Sequence, residues 1–520
     1  GVFLVYALLN GMVLSYYFIA FSVSTLVLAF LATSVYFGLM AAYGATTHKD
    51  LSGWGPKLMM ALVALLITGF VGMLFGMGFG STVLYSGIGL AEFMLLTALN
   101  MLGSGILMLP AKVAQVGGIG LLSWFVVCLA AVAMAYAFAN CGIYSKYRLG
   151  GLGAIAENAF GMPGSFLTNY IYAFSVVIAN VAIATTAVGY LLGIFGIQAD
   201  LGVVQCLTIA LLWLSTLVNF AGVKAMGRLS AVTIWGILIP LLFLICAAPF
   251  SFDAQLFAQN WNPRDLSMQT AVTATAPMMF WAFLGLESAC ANDDSVDNPE
   301  KSVPKAVLAA TLAVAVIYVG STTLTAGLLP ESELVDSGAP LFVIFVSLFG
   351  STASRILAVL LFLACVGSLV TWQFTMYRVF MTSARLGYFP ALFKRVGRTG
   401  VPYMGLFILC IIQTLLVPFM PVSNLFSQFD LLVDISVITN VFPYFLCMAA
   451  TFVVVRRAGL QGVKKVCVEA AALGSLIFIG WYFSLMDGDV MKFATIVFFL
   501  GIAFYGLFVA KDGSTELPEQ

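Results

Sequence analysis

Asn100-Met101-Leu102-Gly103-Ser104-Gly105 and Trp281-Ala282-Phe283-Leu284-Gly285-Leu286-Glu287-Ser288-Ala289 decide the fold. Each sets glycine and hydroxyl residues in the middle of a long apolar run, and the second adds a carboxylate. A helix crossing lipid must bond every backbone N–H and C=O internally, because hydrocarbon offers no partners. A break at membrane depth is tolerated only where protein or a water-filled cavity takes over that bonding. Paired breaks at matching positions of two halves point to a secondary transporter's substrate site.

Composition agrees with a membrane solvent. The 520 residues are 62% hydrophobic and only 8% charged, with a mean hydropathy of +1.07. Apolar stretches of about 20 residues, enough to cross a bilayer core, recur along almost the whole chain. Net charge is zero, so no global field draws in nucleic acid. The nine cysteines form no CxxC and no Cys/His spacing, and His48 is the single histidine. Neither a zinc site nor a Ser-His-Asp triad is expected, so no cofactor, no metal and no enzyme activity is read. No cleavable signal is visible; Gly1 lies inside an apolar run, and residues before it are expected.

Spans are expected at about 93–113, 119–139, 165–193, 203–221, 229–250, 270–291, 304–328, 354–384, 402–420, 429–454, 466–485 and 490–510. Basic residues fall in alternate loops: Lys146 and Arg148, Lys224 and Arg228, Lys301 and Lys305. Arg385, Lys394, Arg395 and Arg398 mark a fourth such loop, Arg456, Arg457, Lys464 and Lys465 a fifth, and Lys511 the tail. Between them, 251–269 holds only Arg264, and 329–340 carries Glu331, Glu333 and Asp336 without a Lys or Arg. By the positive-inside rule the basic set faces the cytoplasm, giving twelve spans with both ends inside. Residues 511–520 are then a cytoplasmic tail; the family resemblance given below implies a bacterial cytoplasmic (inner) membrane as the location.

Spans one to five (93–250) and six to ten (270–454) can be laid over each other, each set opening with an interrupted helix. An odd number of spans per half gives the halves opposite topology, so the fold class is an all-α five-plus-five inverted repeat with two extra helices at 466–510. Residues 1–80 add about three apolar segments, roughly 1–20, 22–44 and 57–80. Gly1-Val2-Phe3-Leu4-Val5-Tyr6-Ala7-Leu8-Leu9-Asn10-Gly11 and the loop Gly44 to Gly55 resemble part of the Bax inhibitor family of membrane proteins. His48, Lys49 and Lys57 favour an inside loop, which conflicts with a transporter region that begins inside. Either the third segment does not cross, or the loop lies outside, or the join is an artefact of fusion. Reporters inserted near residues 50 and 87 would show whether both lie on one face.

The N–H groups at Ser104–Ile106 would form the positive start of a half-helix, which suits a carboxylate. Close helix packing through small residues is the plain alternative. A carboxylate at mid-membrane, as at Glu287, costs about 3 kcal/mol even on the lenient insertion scale and usually faces a cavity and a partner. A cationic substrate at ~4 Å would return about 4 kcal/mol under an effective dielectric near 20; a protonated glutamic acid bonded to a neighbouring helix is the other reading. Trp281 and Trp372 offer indole faces worth roughly 0.5–2 kcal/mol to a cation, or serve as packing and interfacial anchors. Tyr172 and Asn180, eight apart, can point the same way from one long helix or simply pack in its core. Asp434, within the tenth span, is a candidate proton or cation site, or sits near the outer mouth.

These residues resemble a known family. Residues 90–510 are similar to the amino acid–polyamine–organocation superfamily, in its basic amino acid/polyamine antiporter branch. Gly103-Ser104-Gly105-Ile106-Leu107-Met108-Leu109-Pro110 looks like the first-helix motif, and Gly150 to Gly161 like the loop after helix two. Ala137-Phe138-Ala139-Asn140-Cys141-Gly142, the run Trp281 to Asn292, and Trp372-Gln373-Phe374-Thr375 point to the putrescine–ornithine exchangers within that branch. The resemblance implies exchange of putrescine for ornithine, with proton-coupled putrescine uptake as a second mode. It implies that Ser104 and Gly105 meet the amino acid end of a substrate, and that Trp281, Gly285, Glu287 and Trp372 line the pocket with Tyr172 and Asn180 beside it. Asn100, Gly103, Cys141 and Tyr505 are further candidates; Asp434 departs from the uncharged side chain the branch leads one to expect. A homodimer in the lipid bilayer is left open. A lysine–cadaverine or arginine–agmatine exchanger shares this architecture and differs in pocket length, whereas a cation channel needs a continuous polar pore.

Overall fold

A computed structural model of the chain describes residues 101–145, 151–221, 235–287, 299–397, 400–419, 424–484 and 488–509, with isolated positions at 94, 97, 98, 229, 233 and 486. The chain divides into two compact units, Gly1–Phe79 and Gly80–Gln520. The three apolar segments expected within residues 1–80, the tail 511–520, Asn100 and Ser288 lie outside the described residues.

Each of the twelve expected spans coincides with a helix, and no strand occurs among the described residues. In chain order these are α1 (Ser104–Val116), α2 (Ser123–Tyr144), α3 (Leu152–Phe195), α4 (Leu201–Asn219), α5 (Trp235–Ser251) and α6 (Met268–Trp281). The second half supplies α7 (Pro299–Thr325), α8 (Pro340–Arg385), α9 (Tyr403–Leu416) and α10 (Leu425–Arg457), followed by the extra pair α11 (Gly462–Ser484) and α12 (Gly488–Phe504). Among the described residues, eight helical stretches are long and apolar enough to cross a bilayer by themselves. α1 and α6 are short because each ends at a break: Leu102 and Gly103 are bent out of the helix, and α6 gives way to turn from Ala282.

Two helices start earlier than the expected spans. α3 begins at Leu152, within the stretch read as a loop, and α8 at Pro340. Leu152, Ile155 and Ala156 are buried in the first of these added segments, and Leu341, Ile344 and Phe345 in the second. That spacing is one apolar helical stripe, too short in each case to stand out beside the true spans. Each segment meets its main helix at a glycine with left-handed φ, Gly161 (φ 61°) and Gly350 (φ 75°), where a side chain would be strained. The third helix of each half thus carries the same bend, as an internal repeat requires.

α3 lies at the centre and the extra pair at the edge. In the most apolar 18-residue window of α3, 94% is buried, against 17% in the stretch Gly488–Leu507. α3 and α10 run antiparallel: Tyr172 and Tyr444 share a partner, the Ser175 hydroxyl donates to Ser436 O at 2.9 Å, and Gly189 lies near Leu425. Hydroxyl pairs of this kind and close backbone approaches hold membrane helices together, because lipid removes the hydrophobic drive between them. Phe125, Leu129, Val316, Ile477 and Phe499 stand exposed on the outside, an apolar surface that suits acyl chains.

A Cβ added at Gly189 would fall 2.0 Å from the Gly338 carbonyl oxygen, whereas one at Gly474 meets nothing within 4 Å. Gly189→Ala is expected to destabilise by about 1–3 kcal/mol and to lower the thermal midpoint of the purified protein in detergent. Gly474→Ala leaves the midpoint unchanged or raises it.

Candidate substrate-binding site

The two breaks meet. A Cβ on Gly105 would lie 2.9 Å from Ala282 Cα and 3.0 Å from Trp281 Cδ1, so the first turn of α1 rests on the backbone at the end of α6. Tyr318 of α7 spans both: its hydroxyl lies 2.7 Å from Met101 O and 2.9 Å from Ala282 O, two carbonyls that the breaks leave without a continuing helix. Buried main-chain acceptors need such partners. Trp124 of α2 stacks on the Tyr318 ring at 5.8 Å, and Phe283 packs edge-on against both. Trp124 is fixed in turn by donating to Thr322 Oγ1 at 3.0 Å. Gly103 is the residue before α1, in extended backbone, and no side chain caps the helix start. Ser104 and Gly105 are therefore buried at a positive helix end whose cap, Gly103, has no side chain to offer.

Glu287 sits just past the second break, 5% exposed. Its carboxylate accepts from three donors. Tyr172 of α3 donates to Oε1 at 2.7 Å, the Gly285 N–H donates to Oε2 at 2.9 Å, and the Tyr444 hydroxyl of α10 also donates to Oε2. Gly285 adopts φ 110°, so the chain doubles back and aims its own N–H at the side chain two residues on. All three partners can bring an N–H or O–H to a carboxylate oxygen. Among the described residues no Lys or Arg pairs with it. The carboxyl group is thus buried and bonded to neighbouring helices, as in the second of the two readings of its sequence context, and its partners among the described residues are donors.

Of the sequence-predicted residues, the structure gathers Gly103, Ser104, Gly105, Trp281, Gly285, Glu287 and Tyr172 around the crossing of α1, α3 and α6. Trp372 is half-buried on α8, one turn beyond Ser368, whose Oγ approaches Gly103. Cys141 lies one turn along α2 from Phe138, whose ring meets Tyr444 edge-on at 5.0 Å, and its thiol contacts Thr451 Oγ1 at 3.1 Å. Asn180 stands apart, about 12 Å along α3 from Tyr172. Its Nδ2 contacts Met376 Sδ at 3.5 Å, and its buried Oδ1 has no hydrogen-bond partner. Tyr505 packs on Phe166 at 5.2 Å, in a separate aromatic cluster with Tyr388 and Phe504. Asp434 lies within electrostatic range of Tyr482 on α11. Separate from Glu287, a shallow recess of about 10 Å³, room for about one water, is lined by Pro110, Ala114, Asn260 and Glu331 near the far end of α1.

Sequence reasoning missed Tyr318, Tyr444 and the ion pair Lys112–Asp430, in which Lys112 Nζ reaches Asp430 Oδ1 at 2.8 Å and Oδ2 at 2.6 Å. The signal was present in each: a phenol in a deep apolar run must find a partner for its hydroxyl, and a lysine within a span must find a carboxylate.

A polytopic helical chain whose two broken helices meet at a buried carboxylate is, by class, a secondary transporter. Residues 90–516 match the family described as Amino acid permease, and the chain belongs to that family. It is 43% identical over 420 residues to the putrescine transporter PotE of Haemophilus influenzae, covering 81% of this chain and 96% of that protein. It is 42% identical over 422 residues to the putrescine transporter PotE of Escherichia coli K12, covering 81% and 95%. A cadaverine/lysine antiporter of the same strain is 30% identical over 353 residues, 66% of this chain and 79% of the other. Residues 1–102 match the family described as Inhibitor of apoptosis-promoting Bax1.

Gly105→Ala should remove transport by pushing α1 off the Ala282 backbone, while the chain still inserts. Gly103→Ala, whose added Cβ would sit 3.6 Å from Ser368 Oγ, should retain most of it. Uptake of labelled substrate, normalised to protein in the membrane fraction, separates the two.

Proposed function

We propose that this chain exchanges putrescine for ornithine across a bacterial cytoplasmic membrane, with proton-coupled putrescine uptake as a second mode. The observation that carries the reading is Glu287: a buried carboxylate with three donors and no cation, beside an uncapped helix start. The similarity to two putrescine transporters over four-fifths of the chain supports the choice of substrate.

Both substrates carry two ammonium groups, and ornithine adds a carboxylate. In the proposed cycle an ammonium enters beside Glu287 and gains a charge-assisted bond that neutral tyrosines cannot match. The start of α1, at Ser104 and Gly105, receives the carboxylate of ornithine, or stays hydrated when putrescine is bound. Trp281 and Trp372 supply indole walls for the methylene chain and the charged ends. Residues 93–250 and 270–454 supply the two repeats, and one helix bundle drawn from both rocks about this point, with both ends of the region in the cytoplasm. An empty carrier leaves Glu287 bound to Tyr172 and Tyr444, which disfavours switching without cargo and makes the exchange obligatory.

Glu287→Gln keeps the size and one acceptor but loses the charge. Exchange of labelled putrescine in vesicles is expected to fall at least about 100-fold, the rate equivalent of roughly 2.7 kcal/mol, with insertion intact. Retained exchange removes Glu287 from the role. Trp281→Leu should raise the Michaelis constant more than it cuts the maximum rate. Counterflow with a panel of diamines tests the substrate: faster exchange of cadaverine with lysine than of putrescine with ornithine would replace this assignment.

A further inference from the structure

Lys112 and Asp430 form an ion pair that the Glu287 site does not use. Lys112 is two turns along α1 from Ser104, about 12 Å beyond the break, and Asp430 lies near the start of α10. Their side chains are 10% and 21% exposed, and the ammonium contacts both carboxylate oxygens, at 2.8 and 2.6 Å. The same end of α1 is tied to the loops that follow α5 and α7. Gln115 donates to Asp336 at 3.3 Å, and Arg264 donates to Ala114 O at 3.2 Å and to Glu331 at 2.8 Å. The recess lined by Pro110, Val113 and Glu331 opens beside this end.

Stability explains such a pair poorly, since a partly buried ion pair gains little over an apolar replacement once desolvation is counted. Chemistry offers a reason. A lysine side chain is a tetramethylene stem ending in a primary ammonium, the same group that putrescine presents at each end. Asp430 therefore already holds an alkylammonium ion at a partly buried position, with the chain's own lysine as occupant. We propose that Asp430 is a second organic-cation subsite on the outer pathway, filled by Lys112 when that pathway is closed and by a substrate ammonium when α1 swings away. Lys112 then acts as an internal competitor: closure expels the diamine from Asp430, either inward toward Glu287 or out to the medium. This rests on the exchange reading and membrane orientation proposed above.

The test uses opposite signs. In vesicles of known orientation, Lys112→Met should lower the outer half-saturation concentration for putrescine about tenfold, roughly 1.4 kcal/mol, because the competitor is gone. Lys112→Met combined with Asp430→Asn should raise it above that of the unmodified chain. The inner value should stay put in both. A merely structural pair would move both variants the same way, or both sides of the membrane together, and either result overturns the proposal. On the unmodified chain, n-butylammonium added outside should raise the outer half-saturation for putrescine, and added inside should leave the inner one unchanged; no outside effect, or an equal effect inside, counts against the subsite. Binding of n-butylammonium to purified Lys112→Met/Glu287→Gln protein, lost on adding Asp430→Asn, reads the subsite even if Glu287 proves to have no part in exchange. Equal binding with and without Asp430 refutes it.

Discussion

The structure turns on one buried carboxyl group that no Lys or Arg among the described residues pairs with. Glu287 gains its three donors from three places: α3, α10 and its own backbone at Gly285. A carboxylate in a low-dielectric interior needs fixed dipoles in place of its water. Two phenols and an amide stand in that place, and the lysine that α1 carries is engaged by Asp430 instead.

The breaks that create the site create a second difficulty, which is main-chain carbonyls without helical partners. Tyr318 resolves it for Met101 and Ala282 together, and the contact of Gly105 with Ala282 leaves no room between the two turns. Trp124 and Phe283 keep the phenol in place. The site is therefore built by helices that carry no candidate ligand as much as by those that do. α2 and α7 contribute rings and hydroxyls that orient, while α1, α3, α6 and α10 contribute the helix start, the close backbone contact and the phenols around Glu287.

Much of this was legible in the chain. The spans, the two breaks and Glu287 follow from the rule that lipid cannot bond a backbone, and that rule acts on local sequence. Tyr172 was found because it shares a helix with other candidates. Tyr444 and Tyr318 were not, since their partners lie 157 and 36 residues away in sequence and only packing brings them together. Lys112 and Asp430 are separated by 318 positions and escaped for the same reason. Attention went instead to Asp434, one turn away on α10 and within range of Tyr482 on the extra helix α11. The added turns of α3 and α8 were hidden by glycine, which reads as loop and serves here as a hinge between two helical pieces. Tyr505 and Asn180 share a span pattern with the site but face other neighbours.

The position of Tyr318 sets which bonds would wear and which endure in the cycle proposed above. Its hydroxyl fastens the two unwound turns to α7 at Met101 and Ala282, while the phenols on Glu287 come from α3 and α10. In that cycle the fastening stays shut while two phenol bonds open and close, much as a door works its latch and never its hinge screws.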